Sequence, residues 1–236
     1  MNSGLLSPVR DFNAIQARVR QTLDRGVQID LSTESCKRFL RRRVNQKVGV
    51  VILYVDIDGS TKMSRALSPD KFATILHIFS QEMSLLTSEY GGYVLKYVGD
   101  AIIALFPAEY DSGQASKNAV DCAKYMQRII KECINPELIS RGLPQLTAKM
   151  SIDYGDVQVV LYGKSIDRSH IDIVGSSISM AAKMIPLAKT WQVVIGQSMY
   201  ENLGSKQNLI EMNVDPMRWT YFDEKTGGSY KLYTLR

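Results

Sequence analysis

Two carboxylates close an otherwise apolar run in VVILYVDIDGST, residues 50–61: Asp56 and Asp58, followed by Gly59 and a Ser-Thr pair. Crowded Val, Ile and Tyr favour a buried strand, and the Asp-Gly step breaks it. A carboxylate ending a buried strand is costly unless something positive meets it. Asp58 or Ser60 can be explained as the cap of a helix beginning near Lys62. Asp56 has no such explanation and is read as touching a cation or ligand. A further carboxylate, Asp100, sits in the Gly99-Asp100 turn between the apolar runs 93–98 and 101–106, the second ended by Pro107. That pattern is a β-hairpin. Turn chemistry alone often places an Asp there, so the interest of Asp100 lies in its pairing with Asp56.

The elements that must position these groups follow from periodicity. Phe12, Ile15, Val19 and Leu23 mark an amphipathic helix over 10–24, ended by Gly26. A second helix is predicted from Ser32, where S-T-E-S puts an acid in the first turn, to about Val44. Residues 1–45 form a basic helical N-terminal segment, too short to hold a core alone. It must therefore pack on the main domain, residues 46–236, or on another subunit. That domain opens with a strand over 48–56. Ser68-Pro69 starts a long helix over 69–89, with Phe72, Ile75, Leu76, Phe79, Met83 and Leu86 on one face. His77 falls inside that helix and is not read as catalytic.

After the hairpin come a helix over 114–133, interrupted at Asn135-Pro136, and two strands within 145–161 broken at Asp153–Asp156. A loop over 162–170, the strand 171–174, a helix over 176–187 closed by Pro186, a strand at 191–195 and a hairpin around Gly227-Gly228 complete the chain. The order βαββαβ, then αβ and a hairpin, predicts an α+β fold with a ferredoxin-like core, a mixed sheet and helices on one side.

Composition narrows the classes. The 236 residues are 45% apolar and 22% charged, ordinary for a globular protein. No apolar run approaches the roughly 20 residues that span a bilayer, and no signal-peptide pattern opens the chain. A cytoplasmic protein that does not span a membrane is expected. Cys36, Cys122 and Cys133 lack metal-ligand spacing, and the last two read as buried helix thiols. The net charge of +5 is concentrated in Lys37-Arg38 and Arg41–Arg43. No zinc-finger spacing or RNA-binding aromatic pair accompanies it, so a solvated helix face or a site for a partner chain is expected rather than direct nucleic-acid binding. There is no Walker A motif and no G-x-G-x-x-G, so a nucleotide must be held by other means.

Three separated motifs then combine: the strand-D-I-D-G-S-T unit, K-Y-V-G-D-A-I at 96–102, and D-I-V-G-S-S-I-S-M-A-A-K at 172–183. Their order and spacing resemble the class III nucleotide cyclase catalytic domain over about residues 46–233. The resemblance implies a metal site of Asp56 and Asp100 with the Ile57 carbonyl, holding two ions, Mn²⁺ or Mg²⁺. Such oxygen donors suit hard ions. It implies that Lys96 and Asp172 read the base, and that backbone N–H groups over 58–61, at Thr61 among others, meet phosphate. Arg168 and Lys225 are further expected phosphate contacts.

Where the family carries an asparagine and an arginine as ribose-orienting and transition-state residues, this chain has Ser179 and Lys183; lysine replaces a planar fork with a point charge. Tyr54 stands where these cyclases more often have phenylalanine, offering a polar handle to a smaller base. Together with the free-standing catalytic domain and basic N-terminal helices, these features most resemble the pyrimidine cyclases of bacterial antiphage defence. The implied reaction converts a nucleoside triphosphate, UTP before CTP, to the 3′,5′-cyclic monophosphate and pyrophosphate. The product would act on a separate effector, and the implied assembly is a head-to-tail homodimer with shared sites. An adenylate cyclase making cyclic AMP, and a nucleotide-binding module without chemistry, are the alternatives.

Overall fold

The computed structural model describes residues 11–27, 29–165, 168–223 and 226–235. The first half follows the predicted order. Helix α1 (Phe12–Arg25) is capped by the Asp11 carboxylate, which accepts the Asn13 N–H at 2.9 Å. Helix α2 (Glu34–Arg41) leads into β1 (Lys47–Ile57), then a short α3 (Ser60–Ala66) and the long α4 (Pro69–Glu89). The hairpin β2 (Tyr93–Val98) and β3 (Ala101–Pro107) follows, with Gly99 at φ 63° in its tip, a left-handed backbone that glycine adopts without a Cβ penalty.

The second half departs from the expected breaks. Helix α5 (Ser112–Ile129) runs through one π-turn (Ile130–Ile134) into α6 (Asn135–Ser140). The Asn135-Pro136 step therefore does not interrupt the path; the wider turn accommodates a proline that lacks an N–H. Residues Ala148–Tyr162 form one strand, β4, rather than two. Asp153 and Gly155 stay in its ladder because the Asp153 carboxylate is satisfied inside the protein. The chain continues through β5 (His170–Val174), α7 (Ser176–Met184) with a 3₁₀ turn at Ile185–Leu187, β6 (Val193–Gly196), α8 (Gln197–Asn202), β7 (Leu209–Glu211) and β8 (Leu232–Leu235). The predicted final hairpin reduces to one bridge, Phe222 to Ser229, bracketed by the antiparallel β7–β8 pair.

The sheet runs β2-β3-β1-β4-β6-β8-β7, with β5 added to β4. It is mixed, since β4 and β6 are parallel and the other pairs antiparallel. Alternation along β1 sends Val51, Leu53, Val55 and Ile57 into a core beneath α4 and α5. Val48, Val50 and Ile52 go into a second core, with Met180, Ala181 and Met184 of α7 and Cys36 and Leu40 of α2. Helices thus cover both faces, not one. The second core exists because α2 and α7 supply small and sulfur-bearing side chains to the face that also carries Tyr54 and Asp56.

The N-terminal segment packs on its own chain. Arg18 of α1 forks onto Glu82 of α4 at 2.7 Å, Arg20 reaches Glu137 at 2.8 Å, and Arg141 meets Asp24 at 2.6 Å. Two carboxylates meet three of the five cations in the basic cluster around α2. Glu34 takes Lys37 and Arg41, and Arg43 pairs with Glu109 at 2.7 Å while lying over the Phe39 ring.

Candidate functional site

The apolar alternation of β1 dictates where its acids point. Asp56 shares a face with Tyr54, and across the β1–β3 ladder it stands opposite Ala101, the residue after Asp100. The hairpin tip therefore delivers the Asp100 carboxylate beside Asp56. Burial, and then the Asp100 charge, push Asp56 up to about 6; Lys149 opposes the shift. One Asp100 oxygen, Oδ2, is buried with no hydrogen-bond donor among the described residues. Two adjoining carboxylates, one holding a buried unsatisfied oxygen, form an arrangement that a cation would relieve. Burial followed by the Asp56 and Asp100 charges also raises the half-buried Tyr54 phenol, so this hydroxyl stays protonated beside them.

Backbone alternation supplies a third oxygen. Asp58 donates its N–H to Thr147 beside β4 at 2.8 Å. Successive strand residues point their polar groups to opposite edges, so the Ile57 carbonyl faces the β3 side. There the ladder has already ended, at the Asp56–Ala101 pair. No three His, Cys, Asp or Glu side chains converge as a closed cage among the described residues. Two carboxylates and a carbonyl on an open edge fit Mg²⁺ or Mn²⁺, which keep waters and substrate phosphates as their remaining ligands.

Asp58 has a different part from the one expected. It does not cap α3, whose N-terminal flank is Gly59 with no side-chain cap. Its carboxylate is held by Lys149 at 2.7 Å and by the Thr190 hydroxyl, and those two bonds, in that order, pull its pKa down. Its N–H is committed to Thr147, so of the backbone donors over 58–61 this one is not open to phosphate. Thr61 is exposed on α3. Lys149 and Thr190 were not predicted from sequence. Lys149, Ser151 and Asp153 alternate with Met150 and Ile152, a polar stripe along β4 that marks Lys149 once the register pairs it with Asp56. Thr190 precedes Trp191, which adopts φ 65°, and carries no such signal.

Lys96 and Asp172, expected from the resemblance to read the base, form a second cluster. Lys96 Nζ lies 2.6 Å from Asp172 Oδ2, both partly exposed, and Asp172 Oδ1 accepts the Ile173 N–H at 2.9 Å. His170 Nε2 stands 3.9 Å from the same carboxylate.

On α7, Ser179 and Lys183 are one turn apart and exposed; the Ser179 hydroxyl donates to the Gly175 carbonyl at 3.2 Å. Ser179 and Ser176 edge a cleft of about 320 Å³ shared with Tyr154, Tyr221 and Phe222. Gly175 is required by close approach, since a Cβ there would lie 2.8 Å from the Asp156 carbonyl oxygen and 3.2 Å from Val157 Cα. Arg168 is exposed in its loop, and Lys225 lies outside the described residues. The chain thus joins Asp56, Asp100 and Tyr54 in one group and Lys96 with Asp172 in another. No hydrogen bond or ion pair links the two groups among the described residues.

Known proteins share this fold. Residues 43–232 match the family model for the adenylate and guanylate cyclase catalytic domain. Among curated relatives, a cytidylate cyclase of Escherichia coli is 26% identical over 167 residues, covering 67% of this chain and 36% of that protein. An adenylate cyclase of Anabaena cylindrica is 28% identical over 170 residues, with 67% and 32% covered. A uridylate cyclase of Xanthomonas perforans is 26% identical over 179 residues, with 74% and 75% covered. The chain thus spans about a third of the length of the first two. The crystal structure of the guanylyl cyclase Cya2 superposes with a TM-score of 0.68 at 21% identity, covering 81% of this chain and 93% of that one. The fold is that of these catalytic domains, and the chain belongs to the adenylate and guanylate cyclase catalytic domain family.

Proposed function

We propose that the chain cyclises a pyrimidine nucleoside triphosphate, UTP before CTP, releasing pyrophosphate. The observation that carries the cyclase reading is the Asp56–Asp100 pair, with its raised Asp56 and the unsatisfied Asp100 oxygen. In the reaction the ribose 3′-oxygen bonds to the α-phosphorus, the bond from that phosphorus to the bridging oxygen breaks, and the 3′-hydroxyl proton passes to solvent.

Asp56, Asp100 and the Ile57 carbonyl would hold two divalent ions. Bound there, Mg²⁺ or Mn²⁺ lowers the pKa of the attacking hydroxyl and neutralises the leaving pyrophosphate. Lys149 and the Thr190 hydroxyl hold the Asp58 carboxylate, which leaves Asp56 and Asp100 as the open carboxylates. Lys183 offers a point charge to the transferring phosphorus and Ser179 a short hydrogen bond to the ribose. Thr61, Arg168 and Lys225 are the proposed contacts for the outer phosphates.

Base choice rests on Lys96, Asp172 and Tyr54. Asp172 can accept from uracil N3–H or cytosine N4–H while Lys96 donates to a ring carbonyl or nitrogen. The half-buried, protonated Tyr54 reaches across the space that a purine would fill. On the pattern of the cyclase family to which the chain belongs, we propose a head-to-tail homodimer. In it the carboxylates and Tyr54 of one protomer face Lys96, Asp172, Ser179 and Lys183 of its partner. Relatives named as cytidylate and uridylate cyclases support the pyrimidine reading. A second reading is an adenylate cyclase: a lysine donor beside a carboxylate acceptor also matches the adenine edge, and a relative of that name matches over the same share of the chain as the cytidylate cyclase. In the pyrimidine reading the product is a second messenger in antiphage defence that activates a separate effector.

The test is incubation with ATP, GTP, CTP and UTP singly, with Mn²⁺, and identification of products by mass. Cyclic UMP or cyclic CMP with pyrophosphate is the expected result; cyclic AMP as the main product replaces the first reading with the second. Tight binding without product, in every metal, would leave only a nucleotide-binding module. Tyr54→Phe should reduce UTP or CTP turnover more than residual ATP turnover, and equal losses remove its role in base choice.

A further inference from the structure

The base-reading pair is not held by the sheet. Lys96 lies on β2, the edge strand, and Asp172 on β5; β3, β1 and β4 intervene in the strand order. β2 and β5 share no ladder with each other. Two local features bring them together. The first is a β-bulge in β2: Val94 pairs with Ala104, but Lys96 pairs with Ile103, so Leu95 is the extra residue. A bulge resets which face a side chain takes. Lys96 therefore shares a face with Tyr93, Leu95 and Ile103, the face of the second core.

The second feature is α2, which packs on both β2 and β5. Its Cys36 and Leu40 are fully buried in one cluster with Leu95 of β2 and Ile171 and Ile173 of β5. Its Phe39 ring stacks on Tyr93 with centroids 5.3 Å apart. Arg43, at the helix exit, covers Phe39 and is anchored to Glu109. Burial pushes the Cys36 thiol up to about 12, with Asp172 adding to the shift and Lys96 opposing it. The thiol is thus neutral, apolar filling within electrostatic reach of both members of the pair.

We propose that α2, through Cys36, Leu40 and Phe39, is the positioning element that sets the Lys96–Asp172 geometry and hence nucleobase selectivity. This rests on the base-reading role assigned to that pair. The segment before β1 then belongs to the substrate site, and Cys36 is a positioning residue that acts through its neighbours without touching the nucleotide.

The experiment uses the full chain with Cys36→Ala, Leu40→Ala and Phe39→Leu, the last replacing an aromatic ring with a smaller apolar side chain should the others fail to fold. For each, kcat/KM is measured with UTP, CTP and ATP, and Kd with their α,β-methylene analogues, which do not depend on turnover. At least one variant should change the pyrimidine-to-ATP ratio about fivefold or more while the Mn²⁺-induced rise in Tm is kept. Parallel losses for every nucleotide, leaving the ratio within twofold of the parent, would show that α2 is only scaffold and overturn the proposal. Lys96→Met and Asp172→Asn separate the two levels. If they shift the ratio and the α2 variants do not, the positioning role alone fails. If they leave it unchanged, the base-reading role fails and the positioning role falls with it.

Discussion

The Asp100 charge makes the ionisation of Asp56 harder, and replacing Asp100 with Asn tests that directly. Asp56 is raised from 3.8 to about 6, with burial the larger cause and the Asp100 charge next. At about 1.4 kcal/mol per pKa unit the gap corresponds to about 3 kcal/mol. Solvent screening at this partly exposed site brings the working figure to about 1–2 kcal/mol. The sign follows from the direction. A folded-state pKa above the ordinary value means that protonation favours the fold, so this stability is present below about pH 4 and lost as pH rises through about 6.

At pH 7.5 the metal-free protein carries the whole penalty. Asp100→Asn keeps the side-chain shape and removes one charge. It should therefore raise the metal-free Tm at pH 7.5 by roughly 2–4 °C, the shift expected for about 1 kcal/mol in a domain of this size. At pH 4.5, where Asp56 is mostly protonated, the gain should nearly vanish. Mn²⁺ should raise the Tm of the parent and barely move that of the variant, whose cyclisation should fall about 100-fold or more. Thermal unfolding followed by circular dichroism, in EDTA and in Mn²⁺ at both pH values, reads the stability arms, and product mass reads the cyclisation. A lower metal-free Tm for the variant at pH 7.5, or no effect of Mn²⁺ on the parent, refutes the paired-carboxylate reasoning.

Three further outcomes follow from the packing. Arg18→Met leaves the Glu82 carboxylate, 1% exposed, without its guanidinium partner; it should cost about 3 kcal/mol in urea unfolding, as loss of one partner from a buried pair does. Burial raises the Asp153 carboxyl to about 7 despite its bonds from Tyr230 at 2.8 and 3.0 Å. Its contribution is present below about pH 4 and lost as pH rises through about 7, so Asp153→Asn should flatten the fall in parent stability between pH 5 and pH 8, read from Tm across that range. Gly175→Ala must displace the start of α7 from the β4 backbone; it should lower kcat more than Tm, because Ser179 and Lys183 ride on that helix, and a pure stability loss would contradict the link.

The sequence carried the site better than the path between its parts. Asp56 was legible because an ionised group at the end of an apolar run is costly and leaves few readings; Asp100, in a turn where Asp is common, was legible only through its expected pairing with Asp56. Helix α4 was legible to the residue, since Pro69 fixes its start and its apolar positions repeat without a gap. Other features depended on contacts distant in sequence. Asp153 looks like a strand breaker until Tyr230, 77 residues later, supplies its hydrogen bonds. Pro136 looks like a helix end until a π-turn accommodates it. Asp58 looks like a cap because nothing local reveals that Lys149 and Thr190 hold it. The second helical face was missed because α7 carries Ala, Met and Ser rather than a strong Leu-Ile stripe, and small side chains give a weak periodic signal while allowing close packing on the sheet.

The two groups of site residues stand in opposite electrostatic states, which says where selectivity must come from. The carboxylate group holds negative charge without enough positive charge to match it, so binding of a divalent ion there is driven by relief of that imbalance. The Lys96–Asp172 pair is already matched, at 2.6 Å, with side chains 35% and 19% exposed. Opening such a partly solvated pair costs about 0–1 kcal/mol, and a base edge can replace each lost bond with one of its own. Ionic strength of attraction therefore cannot rank the bases, because uracil, cytosine and adenine all offer a donor beside an acceptor. With the base-reading role proposed for this pair, what ranks them is the distance and direction at which the lysine and the carboxylate are presented, together with the space that Tyr54 leaves. We assign that presentation to the bulge in β2 and to the helix that bridges β2 and β5.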